Sequence, residues 1–331
     1  MSRSDSALDT AILTALRQAQ EGSVSGADLA ARLKVTRAAI WARIEALRAL
    51  GFDIEASPHH GYRLLSAPDR LYGDDLKSRL GSTRIIGRDI RVFQETNSTN
   101  DLADRLARDG AEEGVVVFAE KQSRGRGRMG RAWASPPGLG LWFSVVLRPR
   151  LTPQSATQLT IAAATAARRA IHRVTGLEPD IKWPNDLLLD GRKTAGILTE
   201  MGAELDKIKY LIIGIGVNVN LAEADFPPEL RRVATSLRQV LGRPIPRPEL
   251  AAELLRELDT DYARVTSGHF DAVAEEWSRH CRTLGQRVVI LQGERRIEGR
   301  AEGLDHDGAL LLRNPRGRLE RIIGGDVMLG S

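Results

Sequence analysis

The sequence predicts a multidomain α+β protein: a winged helix-turn-helix over residues 1–66, a mixed or antiparallel α+β domain over 67–282, and a small β-barrel over 283–331. Three patterns carry this prediction. Two short amphipathic stretches joined by a tight turn precede an alternating hairpin. Strands in the middle of the chain connect through short turns rather than long crossovers. After Cys281 the texture changes to short strands broken by Gly, Asp and Asn. With 331 residues the chain has room for two or three cores, since a domain holds ~100–200 residues.

The first helix places Leu8, Ile12, Ala15 and Leu16 on one face and stops at Glu21-Gly22-Ser23. Ser25 caps a short second helix, Lys34-Val35 make the turn, and Thr36 caps a third that runs to Gly51. On that third helix Ile40, Ile44, Leu47 and Leu50 form the core stripe, while Arg37, Trp41 and Arg48 share a neighbouring face. The hairpin turns at Pro58-His59-His60-Gly61, with both histidines expected on the surface of the wing. These elements suit either DNA or a protein partner. An exposed Trp41 between arginines near the start of the reading helix fits a major groove, so Arg37, Ala38 and Trp41 are the candidate DNA-binding residues. Ser66-Ala67-Pro68 reads as the linker.

A composition of 42% hydrophobic and 27% charged residues excludes disordered, collagenous and coiled-coil proteins. No apolar run approaches the roughly 18 residues that span a bilayer, and Asp5 and Asp9 lie where a signal peptide is apolar. A soluble, cytoplasmic protein without a membrane partner is expected. Cys281, the single cysteine, has no disulfide or CxxC partner and is expected to be structural. The net charge of +5 is local: Lys121, Arg124, Arg126, Arg128 and Arg131 fall in one stretch without an acid, which makes an anion trap rather than a DNA-sized footprint.

That stretch contains Gly125-Arg126-Gly127-Arg128-Met129-Gly130-Arg131, followed by Trp133 and Ser135. It matches GxGxxG formally, but a strand follows where a dinucleotide loop opens a helix, and no acid stands about twenty residues on. Three glycines permit positive φ and expose amides, while the arginines supply forks for phosphate or carboxylate; ordering onto an anionic ligand is expected. A second motif, Lys182-Trp183-Pro184-Asn185-Asp186-Leu187, turns at Asp190-Gly191 and brings Lys193 back to Asn185 and Asp186. Lysine suits a carboxylate being activated or an α-phosphate in its transition state. Third, Ser98-Thr99-Asn100 offers neutral donors and acceptors for a small uncharged polar ring, or a cap for the helix that follows.

Together with Gly214-Ile215-Gly216-Val217-Asn218-Val219-Asn220, these motifs closely resemble biotin protein ligase, and the whole chain resembles its bifunctional form, biotin ligase and biotin operon repressor. The resemblance implies a class II synthetase-like ligase domain and an SH3-like C-terminal barrel. It implies a biotin–[biotin carboxyl-carrier protein] ligase: biotin and Mg-ATP give biotinyl-5′-AMP, from which biotin passes to a lysine of the biotin carboxyl carrier protein. ATP, Mg2+ carried by ATP, and biotin as substrate and corepressor precursor are implied, with no tightly bound cofactor and no metal site of protein ligands. Operator DNA and a ligand-dependent homodimer are the other implied partners.

By matching position, Ser98, Thr99, Asn100, Gln122, Gly125, Arg126, Gly127, Arg128, Trp133 and Lys193 fall to biotin. Arg128, Arg131, Asn185, Lys193 and Asn218 fall to ATP and the adenylate, and Lys193, Arg128 and Asp186 to catalysis. Two alternatives stay open. A lipoate or octanoate ligase would leave Gln122 and the Ser98 cluster without a ureido partner, at ~1–3 kcal/mol per buried polar group. A transcription factor that only senses biotin has no need of Lys193, Asp186 and the complete glycine-arginine loop.

Overall fold

The computed structural model describes residues 3–329 apart from Glu21, His59, Leu205 and Asp206; the wing position expected for His59 lies outside the described residues. The chain divides into two compact units, Met1–Ser82 with Pro246–Ala252 and Thr83–Ile245 with Glu253–Ser331.

In the first unit, α1 (Arg3–Gln18), α2 (Gly26–Leu33) and α3 (Arg37–Ala49) surround Ile12, Leu13, Leu16, Leu29, Ile40, Ile44 and Leu47. The caps are the expected ones. Ser25 Oγ accepts the Ala27 amide at 3.2 Å and Thr36 Oγ1 that of Ala39 at 3.1 Å, while Lys34 closes α2 at φ +55°. The wing pairs β1 (Asp53–Ser57) with β2 (Gly61–Ser66) and adds Phe52 and Ile54 to the core. Leu50, expected in the core stripe, is 37% exposed because it forms the C-cap of α3, where the chain leaves the helix.

α4 (Gly73–Leu80) follows the expected linker and packs on α1. It buries Leu76 and Leu80, and its buried Asp75 takes Arg17 and, at 2.8 Å, Arg79. Neighbouring Asp74 accepts Ser6 and Thr10, and burial pushes its carboxyl above the usual range.

The second unit is built on a seven-stranded mixed sheet. Its strands are β3 (Asp89–Thr96), β4 (Val115–Gln122), β5 (Gly140–Leu147), β6 (Asp180–Lys182), β7 (Asp186–Leu189), β8 (Arg192–Glu204) and β9 (Lys207–Asn218), ordered β3-β4-β5-β9-β8-β7-β6. Only β3–β4 is parallel, across α5 (Thr99–Arg108); the remaining pairs are antiparallel, as the short turns predict. β5 is buried along its whole length, so it reads as an apolar run rather than an alternation. One face is covered by α6 (Ala156–Thr175), whose buried alanines allow close approach to the strands. After α7 (Leu237–Leu241), α8 (Arg247–Thr266) passes from the first unit into the second, where α9 (Phe270–His280) lies against α6. Cys281 is buried and burial pushes its thiol up, which fits a structural residue.

The expected C-terminal SH3-like barrel does not form. β10 (Arg287–Gln292), β11 (Arg295–Leu304), β12 (Leu310–Arg313), β13 (Leu319–Ile322) and β14 (Asp326–Leu329) make an open sheet in the order β13-β12-β11-β10-β14. Closure requires the two outer strands to pair. Among the described residues β13 pairs only with β12 and β14 only with β10, so the outer edges do not pair. Spacing of short strands registers their number; it does not register whether the edges meet. No helix among the described residues is long and apolar enough to cross a membrane.

Candidate active site

The glycine-arginine loop folds as a narrow hairpin. Arg126 bridges Ala132, Gly127 N donates to Arg131 O at 2.7 Å, and Trp133 N to Gly125 O at 2.8 Å. The amides of Gly127 and Arg131 are thus satisfied inside the loop, and positive φ occurs at Met129 and Gly130 rather than at Gly125 or Gly127. Gly125 is needed for another reason: a Cβ there would collide with the Trp133 carbonyl and lie 2.8 Å from Ser135 Oγ. The arginines are not left to repel one another. Arg126 pairs with Glu200 at 2.9 Å and Asp101 at 2.5 Å, and Arg131 pairs with Asp326. Arg128 makes long contacts to Asn185 Oδ1 (3.3 Å) and Gly325 O (3.4 Å), and burial holds its guanidinium below the usual arginine value.

Trp133 lies on a floor made for it. Gly196 on β8 and Gly216 on β9 are directly paired, and a Cβ on either would come within 2.9 or 2.6 Å of the indole. The Trp133 Nε1–H is buried with no hydrogen-bond partner among the described residues. Lys193 Nζ sits over the ring, 5.2 Å from its centroid, and pairs with Asp186 at 2.6 Å. This follows from the hairpin: Asp190 (φ +51°) and Gly191 (φ +74°) form the tight turn that folds β8 back on β7. Beside it, Asn185 Nδ2 donates to Ile197 O at 2.7 Å, and Asn218 Nδ2 to Thr235 O at 3.1 Å.

The neutral cluster lies at the start of α5. Ser98 is the N-cap residue and is buried, yet its hydroxyl makes no capping bond. Gln122, from the end of β4, caps the helix instead: its Oε1 accepts Thr99 N at 2.8 Å and Thr99 Oγ1 at 3.2 Å. Gln122 Nε2 donates to Ser135 Oγ at 2.8 Å. Asn100 accepts Ser144 Oγ at 2.6 Å and donates to Glu200 at 2.7 Å, above Gly214, where a side chain would displace it.

One run of contacts therefore joins Gln122, Ser135, Trp133, Lys193 and Asp186, with Asn185 and Arg128 next along the chain and the loop. Sequence reasoning passed over Ser135, Ser144, Glu200 and Asp101 as partners and over Gly196, Gly214 and Gly216 as floor. Glycines inside apolar strands were the available signal; the carboxylates had none, because their partners are distant in sequence. The candidate DNA-binding residues stand on the first turns of α3 in the other unit, where Arg37, Ala38 and Trp41 are exposed, Trp41 by 58%. Arg48, on the same stripe near the end of α3, is engaged inside the unit: it donates to Ile54 O at 2.9 Å and pairs with Glu45. Among the described residues, Asp305, His306 and Asp307 bring three possible metal-ligand atoms together, but Arg321 already takes both carboxylates.

Residues 92–218 match the biotin/lipoate A/B protein ligase family, residues 10–63 an HTH domain, and residues 283–330 the biotin protein ligase C-terminal domain. The chain is 39% identical to the bifunctional ligase/repressor BirA of Bacillus subtilis, over 95% of this chain and 96% of that protein. It is 31% identical to the bifunctional ligase/repressor BirA of Escherichia coli, over 93% of each. Biotin protein ligase from Aquifex aeolicus, solved in complex with biotin and ATP, is similar over 73% of this chain and 99% of its own, with a TM-score of 0.62 and 30% identity. Identity sustained over nearly the whole length, through all three matched segments, places the chain in the bifunctional ligase/repressor branch of the biotin/lipoate A/B protein ligase family, to which it belongs.

Proposed function

We infer that the chain is an ATP-dependent biotin protein ligase, forming biotinyl-5′-AMP and transferring biotin to a carrier lysine, and a biotin-responsive transcriptional repressor. The observation that carries the ligase reading is the convergence, through Trp133, of a neutral polar cluster with the Lys193–Asp186 pair. A uniformly charged site would suit a nucleotide alone. A neutral end joined to a cationic end suits a molecule with an uncharged polar ring and a carboxylate to be activated.

In this reading the Ser98 hydroxyl, left free by the Gln122 cap, pairs with the ureido ring together with Thr99, Asn100 and Gln122. Gly125, Arg126 and Gly127 cover the bound biotin, and Trp133 packs along it. Biotin's carboxylate oxygen bonds to the α-phosphorus of ATP, the bond to the β-phosphate bridging oxygen breaks, and pyrophosphate leaves. Lys193 neutralises carboxylate and α-phosphate as charge gathers between them, and Asp186 keeps its ammonium aimed. Arg128, Arg131, Asn185 and Asn218 hold the nucleotide, and Mg2+ enters with ATP as part of the substrate. A carrier lysine amine then attacks the carbonyl of the mixed anhydride, releasing AMP. The biotin carboxyl carrier protein is the acceptor this implies.

The repressor half rests on the capped α2–α3 pair with Arg37, Ala38 and Trp41 exposed at the start of α3. We keep a division at 1–66, 67–282 and 283–331 as the functional one. A homodimer formed with biotin and ATP would set two reading helices at half-site spacing. Pyrophosphate release on adding biotin and Mg-ATP, with mass-spectrometric transfer to a carrier domain, tests the ligase. Release with lipoate or octanoate in place of biotin, and none with biotin, would overturn it. Sedimentation with and without both substrates tests the dimer, and selection from random duplexes tests DNA reading.

A further inference from the structure

Resting on the ligase reading, we propose that Asp326 of the C-terminal sheet is a positioning residue for the reaction: it fastens Arg131 and so keeps the glycine-arginine loop closed over activated biotin between the two chemical steps. The loop is anchored at two places. Its first arm is tied through Arg126 to Glu200 of the central sheet and Asp101 of α5. Its second arm reaches the C-terminal sheet, Arg131 to the Asp326 carboxylate and Arg128 to the Gly325 carbonyl.

The receiving side is shaped for this. Gly325 has φ +144°, and a Cβ there would come within 2.5 Å of Ile290 Cγ2 and 2.9 Å of the Leu291 carbonyl. A Cβ on Gly324 would come within 3.0 Å of Arg128 Nη2. The two glycines thus let the crossing strand lie flat against β10 while Gly325 O stays open to Arg128. Gln292 Nε2 donates to Gly324 O and fixes the crossing. Asp326 then opens β14 in register with Leu291, so its carboxylate projects from a paired strand rather than a free loop. The stretch Lys121–Arg131 holds five bases and no acid, and Asp326 supplies the charge its second arm lacks.

The Arg128 contacts are long and leave that side chain able to turn to a ligand phosphate, whereas Arg131 is paired with a carboxylate of opposite charge. Because this pair is partly exposed, its hold is modest and sensitive to salt. The anhydride it protects is attacked by water or any amine, so a small change in opening appears directly as loss of intermediate.

The test uses the full chain, loaded with radiolabelled biotin and Mg-ATP, chased with unlabelled biotin, and assayed for release of labelled biotinyl-5′-AMP and for the pyrophosphate burst. Asp326→Asn is expected to release adenylate about two- to fivefold faster at low salt with its burst retained, and Asp326→Glu to hold it nearly as the unsubstituted protein does. The difference should vanish near 1 M KCl, where screening removes the pair. Release from Asp326→Asn no faster than normal, a difference that persists at high salt, or failure of Asp326→Glu as large as that of Asp326→Asn would overturn the latch. No pyrophosphate burst from the unsubstituted protein would overturn the ligase reading and the latch with it.

Discussion

Two arginine-bearing segments of this molecule, the reading helix α3 and the glycine-arginine loop, handle their charge in opposite ways. On α3 the arginines divide: Arg43 pairs with Asp9 and Arg48 braces the wing strand, while Arg37 and Trp41 remain exposed. In the loop Arg126 and Arg131 are engaged by carboxylates that come from α5, β8 and β14. On α3 the Arg48 contact is local, six residues from Ile54, whereas Arg43 meets Asp9 34 residues away on α1. In the loop the partners lie as far as 195 residues away. In the proposed function, a segment that reads a rigid external surface can be left bare. The proposed closure of the loop on a small ligand would need such internal partners to define its closed position.

The sharpest way to break this comparison is at Lys193. In the proposed mechanism its pair with Asp186 orients a charge instead of holding the fold, so Lys193→Ala should lower biotin-dependent pyrophosphate release about 10²- to 10³-fold with little change in melting temperature. A fall in melting temperature that accounts for the lost activity would make the pair structural. Next, replacing Arg37 and Trp41 together by Ala should weaken binding to a selected duplex by roughly ten- to a hundredfold and leave carrier biotinylation unchanged. Equal loss of both activities would mean that α3 is needed for folding.

Arg128→Gly probes the loop itself. It removes the contacts to Asn185 and Gly325 and adds backbone freedom, so activated biotin should escape and label lysines of albumin, with release faster by about tenfold. Mass spectrometry that finds only the carrier labelled, at ordinary turnover, would place retention elsewhere. The smallest effect is expected at Asp74 on α4. Burial raises its carboxyl pKa in the folded state, so the native protein binds the proton more tightly and loses stability as pH rises through the interval above the unfolded value. Asp74→Asn keeps the Ser6 and Thr10 bonds and should raise the melting temperature at pH 7 by about 1–2 °C, with no gain below about pH 4. A gain that is independent of pH would show that Asp74 is ionised at no cost.

Much of the candidate site was legible as residue types. Glycine, arginine, lysine and aspartate in those motifs announce an anion and its activation, and the Asp190-Gly191 turn brings Lys193 to Asp186 by local geometry alone. Less legible was the purpose of individual residues. Gly125 reads as a conformational hinge and serves as a close approach; Ser98 reads as a helix cap and leaves that task to Gln122. The C-terminal strands were countable from their turns, but an open sheet and a barrel share the same short strands, and only the pairing of the outer edges distinguishes them.

By itself the sequence determined what is decided within about four residues: the stripes of α1 and α3, the Ser25 and Thr36 caps, and the turn before β8. The tertiary structure decided the rest. Which carboxylate meets which arginine, which side chain caps α5 and which glycines lie beneath Trp133 all depend on strand register and on the order β5-β9-β8 across the sheet. Register is set by the summed burial of every strand at once, a property of the packed sheet that no short window of sequence contains.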